Sequence, residues 1–328
     1  MVKPRLWLSI CAAATLAGCG GIAPLATPNS LAPARSAVLS GVDGQDLLYI
    51  SDAGSNHVYV YALPSRKLTQ TLSGFDEPQG ECSDAAGNVF ITNTQKSEIV
   101  EYAHGGTQPI QRLKDQGYYP VGCAVDGSTG NLAVTNLFAT KNKYGSVAIF
   151  KNASGSPTQY TDSSIYYYYF CGYDDAGNLY LDGYTPDSTF AFALLPSGSG
   201  TFLNIALNQP IYFPGTVQWT GKWVMVGDQQ DRQSNESVLY EFKIRGSIGY
   251  LENFTALNEA TDVVQAWLQG KTVYAPDAER ADVGLYHYVA GGNPFNTIAG
   301  LSSPVGATVS VASSRLRRTA YAAAHGDY

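Results

Sequence analysis

Short apolar segments alternate with polar, glycine-containing turns along most of the chain. Residues 80–93, GECSDAAGNVFITN, join one short segment to an apolar run through a DAAGN turn. Related sequences return at 122–136, 171–182, 217–228 and 264–277. The units begin near Pro78, Pro120, Tyr168, Pro214, Asp262 and Pro304, which gives a period of about 45 residues. That length fits a four-stranded antiparallel sheet rather than a helical repeat.

The local sequence of each unit supports the same architecture. Gly and Asn in the DAAGN and DDAGN turns accept positive φ between two strands. The apolar run after each turn predicts a strand buried on both faces, and a third strand follows, as at Val58–Tyr61 and Val147–Phe150. We therefore predict an all-β fold, a six-bladed β-propeller with four-stranded blades, over residues 43–312.

The two ends of this region complement each other. The first unit begins at Leu47–Asp52 and lacks an inner strand, whereas the last unit, Pro304–Val311, is an inner strand with no blade behind it. Pairing the two segments would complete one blade from both ends of the chain. The closed ring that results has no open sheet edge to promote aggregation.

The segment Leu48–Tyr61 resembles the core of an NHL repeat, in which a strand ends in Asp before a Gly/Asn turn and an apolar strand. The resemblance extends over about residues 46–312. It implies a six-bladed propeller, but such propellers serve many functions, so it does not imply one activity.

The first residues have the pattern of an export signal. Lys3 and Arg5 precede a mostly apolar run, Leu6–Leu16, which is too short to span a bilayer. Leu16–Cys19 resembles the lipobox of bacterial lipoproteins, which implies cleavage after residue 18 and acylation of Cys19. An ordinary cleaved signal peptide is the alternative. We expect a signal peptide at 1–18, a flexible tether at 19–42 and a C-terminal tail at 313–328, either frayed or forming another strand.

Gly20 stands where many lipoproteins retained at an inner membrane have Asp, so the resemblance favours the outer membrane if the cell has two. The formal net charge of −7 argues against a nucleic-acid partner, because phosphates demand a basic surface. We expect a monomer.

Two groups of residues are expected to converge on one face of the ring. Polar residues end the second strand of each blade, and they are Asp52, Asn93, Asn136, Asp182, Asp228 and Asp277. Their repetition favours a structural role, since Asp and Asn cap turns by accepting backbone N–H groups.

The second group, which we call the aromatic rim, precedes the inner strands. It consists of Phe75, Tyr118, Tyr119, Tyr166, Tyr167, Tyr168, Tyr169, Tyr212 and Phe213. Four consecutive tyrosines cannot all point inward on an alternating strand. Rings with a polar tip suit stacking on sugars, other planar ligands or a protein partner, with packing between blades as the alternative.

Enzymatic functions have weaker support. In gluconolactonase-type propellers, which the chain distantly resembles, Glu, Asn and Asp hold a divalent cation near the axis. The matching oxygen donors would be Glu77, Glu81, Asn93, Asn136 and Asp228. No unit departs from the repeat so as to set a Glu beside its partners, and we therefore expect no metal or cofactor, with Ca²⁺ as the alternative.

Lyase chemistry of the virginiamycin-lyase type would need a general base, typically His. None of the four histidines, His57, His104, His287 and His325, falls in the converging loops.

Three cysteines, Cys82, Cys123 and Cys171, fall in successive inner strands. Export would permit a disulfide, but three cysteines leave one over and Cys82 is offset by one residue. We expect small, buried, unpaired thiols.

Together these patterns predict a membrane-anchored, extracytoplasmic propeller that acts as a non-catalytic binding module. A carbohydrate, a peptide or another envelope protein would be its ligand. A metal-dependent hydrolase of the lactonase kind is the alternative.

Overall fold

The structure of the protein, a computed structural model, describes residues 44–141 and 144–314. The predictions for the signal peptide, the tether, Cys19, His325 and most of the C-terminal tail lie outside these residues. Strands dominate what is described, together with two short 3₁₀ turns at Thr94–Lys96 and Lys151–Ala153. None of the helical segments in these residues has the length and apolarity needed to cross a membrane.

Within the described residues, twenty-five strands, numbered in chain order, form six sheets. Blade 1 contains β1 (Leu47–Asp52), β2 (His57–Ala62) and β3 (Lys67–Leu72), with β25 (Pro304–Ser310) as its inner strand. Blade 2 contains β4 (Pro78–Ser83), β5 (Val89–Asn93), β6 (Glu98–Tyr102) and β7 (Pro109–Lys114). Blade 3 contains β8 (Tyr118–Val125), β9 (Leu132–Ala139), β10 (Ser146–Phe150) and β11 (Thr158–Tyr160).

The second half repeats the pattern. Blade 4 contains β12 (Tyr167–Tyr173), β13 (Leu179–Tyr184), β14 (Phe190–Leu195) and β15 (Leu203–Asn204). Blade 5 contains β17 (Pro214–Trp219), β18 (Val224–Asp228), β19 (Ser237–Arg245) and β20 (Ile248–Leu257), and β16 (Ala206–Leu207) adds a short parallel strand at its outer edge. Blade 6 contains β21 (Trp267–Gln269), β22 (Thr272–Asp277), β23 (Asp282–His287) and β24 (Asn296–Ile298).

The ring closes in the predicted way. β25 pairs antiparallel with β1, from Leu47 opposite Ser310 to Asp52 opposite Pro304. The inner strands contact one another in sequence around the axis, and β25 contacts both β21 and β4. The six-bladed, all-β architecture and its closure by the two terminal strands are therefore confirmed.

The hydrophobic core is divided among the six seams between blades. On β1, Leu47 and Tyr49 pack against blade 2, whereas Leu48 and Ile50 pack against blade 6. This is the two-residue alternation of a strand with both faces apolar. Each blade thus hides its two faces against its two neighbours.

The prediction of three unpaired thiols is wrong for two of the cysteines. Cys82 on β4 and Cys123 on β8 form a disulfide that joins blades 2 and 3, with their Cα atoms 5.7 Å apart. Successive residues of a strand point to opposite faces, so the one-residue offset turns Cys82 towards blade 3 and Cys123 towards blade 2, and both side chains meet in one seam. Cys171 is a buried free thiol.

The disulfide closes a loop of 41 residues and ties two inner strands together, so its loss should destabilise the ring. We expect Cys123→Ala to reduce the free energy of unfolding by about 2–4 kcal/mol, chiefly because the unfolded chain regains freedom. Thermal unfolding monitored by circular dichroism measures the change. Cys171→Ala is the matched control and should cost about 1 kcal/mol. Equal effects of the two substitutions would contradict the assignment of the disulfide.

Candidate functional site

The two faces of the ring differ in what they present. The top face contains the ends of the second strands and the beginnings of the inner strands, as where Asp52 lies opposite Pro304. The bottom face contains the ends of the inner strands and the turns that follow them. Both groups of candidate residues lie on the top face.

The polar residues that end the second strands are buried and bind backbone. Asp52 accepts hydrogen bonds from the N–H groups of Ser55, Ser302 and Ser303 at 2.7–3.1 Å. Asp277 accepts the N–H groups of Thr261, Glu279 and Arg280 in the same way. These side chains hold the loops that lead into the inner strands.

Asp228 and Asp182 occupy the same position in blades 5 and 4. Asp228 accepts the N–H groups of Tyr212 and Phe213, and burial raises its pKa to about 6 despite these donors. Asp182 accepts the N–H of Phe170 at 2.8 Å, and burial raises its pKa well above the ordinary value.

Blades 2 and 3 have Asn at this position, and each Asn donates a hydrogen bond to a buried acidic side chain. Asn93 accepts the N–H of Asp76 and donates to Glu98, which also binds Arg112 and Lys114. Burial opposes ionisation of Glu98, but the donors Lys114 and Asn93 prevail and lower its pKa.

Asn136, in blade 3, donates to Asp115 at 2.7 Å and to Ser146, and Gln159 binds the other oxygen of Asp115. No cation takes part in the hydrogen bonds described for this network, and burial raises the pKa of Asp115. Both asparagines are completely buried.

The oxygen donors considered for a metal site are not brought together. Glu77 binds Gln79 and Gln95 at the surface of blade 2. Glu81 is buried in the seam between blades 1 and 2, where Ser51 donates to it at 2.7 Å. Within residues 44–141 and 144–314, no group of three or more His, Cys, Asp or Glu residues is arranged to hold a metal ion.

Two members of the aromatic rim belong to the core instead. Tyr168 is completely buried, and its hydroxyl accepts the N–H of Asp162, so the ring cannot contact a ligand. β12 has a register shift between Tyr168 and Cys171, and both side chains pack in the seam between blades 3 and 4. Phe75 packs in the seam between blades 1 and 2. The prediction that Tyr168 binds a ligand is therefore wrong.

The remaining rim residues are partly exposed, and two of them meet a tyrosine of blade 3 at the seam between blades 3 and 4. Tyr166 contacts Tyr167, with ring centroids 4.5 Å apart, and Tyr144, with centroids 4.8 Å apart. We call these three residues the tyrosine cluster. Within blade 3, Tyr119 packs on Phe138 with a centroid distance of 4.3 Å.

Other rim residues continue this surface towards blade 5. Arg232 lies over the ring of Tyr212 at 4.4 Å. The hydroxyl of Tyr184 donates to the carbonyl of Tyr212, and its ring meets Tyr169 edge-on. Phe213, which directly precedes β17, and Tyr118, the first residue of β8 in blade 3, are also partly exposed.

Sequence reasoning missed Phe138, Tyr144 and Tyr184. The first two lie where blade 3 departs from the repeat, because β9 continues beyond Asn136 to Ala139 and exposes Tyr144 to 52%. The signal was present in the spacing. Ten residues separate Asn136 from Ser146, against five between Asn93 and Glu98.

The fold is shared with solved structures of distant sequence. The chain has a TM-score of 0.64 and 14% identity to a propeller in a crystal structure of a nidogen/laminin complex, over 81% of this chain and 99% of that chain. A protein of unknown function from Bacteroides caccae gives a TM-score of 0.60 and 9% identity, over 81% and 98%. No family model and no curated protein matches the sequence. These similarities show the fold alone, and the resemblance to NHL repeats stays a prediction.

The burial of Glu81 makes stability depend on pH. One of its oxygens has no hydrogen-bond partner in the described part of the chain, and burial raises its pKa well above the ordinary 4.5. The folded protein therefore keeps a proton that the unfolded chain releases, so stability falls as pH rises from about 4.5 through the raised pKa. The slope from this group reaches at most about 1.4 kcal/mol per pH unit.

We expect Glu81→Gln to remove this contribution, because an amide does not titrate. Urea unfolding at pH 5, 6, 7 and 8 should show that the variant gains stability relative to the wild type as pH rises. Glu279→Gln, at an exposed position, is the control. A constant difference between the wild type and Glu81→Gln across this range would contradict the raised pKa.

Proposed function

We propose that the protein is a lipid-anchored, extracytoplasmic binding module that engages an extended partner through the aromatic rim on its top face. The observation that supports this most is the tyrosine cluster. Its rings contact one another across the seam between blades 3 and 4 and remain partly open to solvent. Aromatic rings with hydroxyl tips are well suited to contact both apolar and polar groups of a partner.

The chemistry around the cluster favours binding over catalysis. The carboxylates nearest the rim hold backbone N–H groups, as Asp228 does for Tyr212 and Phe213. A carboxylate that is engaged in this way supports the loop, so a substitution there would alter the conformation of the loop. The rings of Tyr166 and Tyr167, in contrast, are partly exposed and present surface that a partner can contact.

Two observations support location outside the cytoplasm. The lipobox-like sequence precedes Cys19, and a disulfide links blades 2 and 3. Structural disulfides persist in oxidising compartments and are rare where thiols are kept reduced.

Rim function is tested by site-specific photo-crosslinking in the producing cells. A benzophenone amino acid replaces Tyr167 in one strain and Tyr250, an exposed tyrosine on the outer strand β20, in the control strain. We expect a discrete crosslinked partner from position 167 that is absent from position 250. In parallel, retention on insoluble cell-wall polysaccharide is measured for the full chain.

For whichever partner is found, Tyr166→Ser with Tyr167→Ser should weaken binding about tenfold or more, because two aromatic contacts are lost. Tyr250→Ser should leave the affinity unchanged. The proposal is contradicted if positions 167 and 250 give the same crosslinked products and the protein is also not retained on the polysaccharide.

Anchoring is tested separately. Cys19→Ser should move the protein from the membrane fraction to the soluble fraction, because acyl chains contribute about 0.8 kcal/mol per buried methylene. Mass spectrometry of the N-terminal peptide identifies the acyl groups. Cys11→Ser is the matched control, since Cys11 lies in the apolar part of the signal, and it should keep the protein in the membrane. Equal fractionation of the two variants would argue against the lipobox.

A further inference from the structure

On the bottom face, the turn between the inner and second strands changes its charge around the ring. In blades 2, 3 and 4 this turn begins with an Asp that binds the backbone of the turn, at Asp84, Asp126 and Asp174. In blades 5 and 6 the turn contains Gly-Lys instead, at Gly221–Lys222 and Gly270–Lys271. The bottom face therefore has acidic turns on the side of blades 2–4 and basic turns on the side of blades 5 and 6.

Blade 5 adds further basic side chains on a hairpin that projects at the bottom face. The pairing of β18 with β19 ends at Val224 opposite Phe242, but β19 and β20 stay paired for three more residues, Lys243–Arg245. The hairpin thus extends about 10 Å past the rest of the blade, at about 3.3 Å per residue. At its tip, Arg245 lies opposite Ile248, whose side chain is 40% exposed.

Two of the lysines share one aromatic ring. The ammonium groups of Lys222 and Lys243 lie over the ring of Trp223, at 4.5 and 4.9 Å from its centroid. This brings the turn of blade 5 and the base of its hairpin together. We call the following residues the basic edge: Lys222, Trp223, Lys243, Arg245 and Lys271.

The basic edge is open to solvent. Lys222, Arg245 and Lys271 are exposed, and Lys243 and Trp223 are partly exposed. Among the ion pairs of residues 44–141 and 144–314, none involves a cation of the basic edge. An anionic partner can therefore approach these cations without breaking an internal ion pair.

Three acidic side chains belong to the strands and turns around the basic edge, and two of them are engaged elsewhere. Glu241, on β19, is buried and accepts the hydroxyl of Thr220 at 3.0 Å. Asp175, on the side of blade 4, accepts the indole N–H of Trp219 at 2.9 Å. Glu252 is exposed farther along β20. The four cations outnumber these acids, although the whole chain has a formal net charge of −7.

The combination of groups at the basic edge fits the surface of a bilayer. Anionic lipid headgroups attract Lys and Arg, and each such side chain near the surface increases affinity about fivefold. The ring of a Trp is amphipathic and suits the depth of the headgroups, and the stems of Lys and Arg can lie along apolar surface. The exposed Ile248 at the hairpin tip adds an apolar contact that an acidic polysaccharide would not use.

We propose that the basic edge binds the surface of a phospholipid bilayer that contains anionic lipids, with the tip of the hairpin at the level of the headgroups. This inference goes beyond a lipid anchor, because the folded ring itself contacts the membrane. It requires neither acylation of Cys19 nor a partner at the aromatic rim. Its test can therefore fail while the proposed function holds, and the reverse.

The first test measures binding of the full chain to sucrose-loaded vesicles by cosedimentation. One set of vesicles contains phosphatidylcholine alone, and the other contains equal amounts of phosphatidylcholine and phosphatidylglycerol. We expect binding to the anionic vesicles to be at least about tenfold tighter. About 0.5 M NaCl should remove most of this preference, because the Debye length is then only about 4 Å.

Two pairs of lysines provide variants with the same change in net charge. Lys222→Gln with Lys243→Gln should weaken binding to the anionic vesicles about tenfold or more, because two cations leave the contact. Lys96→Gln with Lys141→Gln is the matched control. These two lysines are exposed on the top face, and their loss should change binding by less than about twofold.

A local probe separates contact at the basic edge from insertion of the apolar run at 6–16. An environment-sensitive fluorescent amino acid replaces Ser247, in the tip of the hairpin, or Gln233, in a top loop of the same blade. With anionic vesicles, we expect the emission from position 247 to shift to shorter wavelengths, because the probe leaves water. The emission from position 233 should stay unchanged.

The proposal is overturned if the chain binds both kinds of vesicle equally and the emission from position 247 does not shift. An equal loss of binding for the two lysine pairs also overturns it, since net charge alone would then explain the attraction. So does binding to soluble polygalacturonate, lost with Lys222→Gln and Lys243→Gln, without binding to anionic vesicles. The partner would in that case be an acidic polysaccharide.

Discussion

The whole structure depends on one constraint, which is that every blade has two apolar faces and can bury them only against other blades. β1 illustrates it, with Leu47 and Tyr49 directed to one neighbour and Leu48 and Ile50 to the other. A sheet of this kind is unstable alone, and a row of such sheets leaves two apolar faces in water at its ends. Closing the ring removes both. The six separate seam cores are the direct result.

Closure of the ring also determines where buried polar side chains are needed. Chain that enters each inner strand must cross from the outer edge of one blade to the axis, and its N–H groups need partners there. The strand-end residues supply them, as Asp52 does for Ser302 and Ser303. This explains why an Asp or Asn recurs in every blade. It also means that the aromatic residues of the top face lie on loops whose backbone is fixed by these hydrogen bonds.

The parts of the fold that repeat could be predicted, and the parts that break the repeat could not. Period, turn chemistry and the complementary ends are local or periodic signals, and they gave the blade number and the closure. The Cys82–Cys123 disulfide was missed because the one-residue offset was taken to separate the two thiols, although on neighbouring strands it turns their side chains towards the same seam. In β12 a register shift lies between Tyr168 and Cys171, so a regular alternation counted from Cys171 does not place the ring of Tyr168.

The candidate site was predicted in outline only. The rim was expected from its position before the inner strands, but Phe138 and Tyr144 come from the longer hairpin of blade 3. The pairing of inner strands near the axis had no sequence signal. It joins residues far apart in the chain, since the side chain of Gln265 binds the backbone of Glu81 across 184 positions.

The composite first blade has a consequence for the order in which the molecule forms. β1 is synthesised at the start of the domain, but its partner β25 is among the last strands to be synthesised. Contacts of such long separation form late and slowly. Until then the nascent chain exposes the bare edge of β1 and the unpaired flank of blade 6, which makes it dependent on protection from misassembly. Loss of only the last strand would therefore affect the ring as a whole rather than trim one blade.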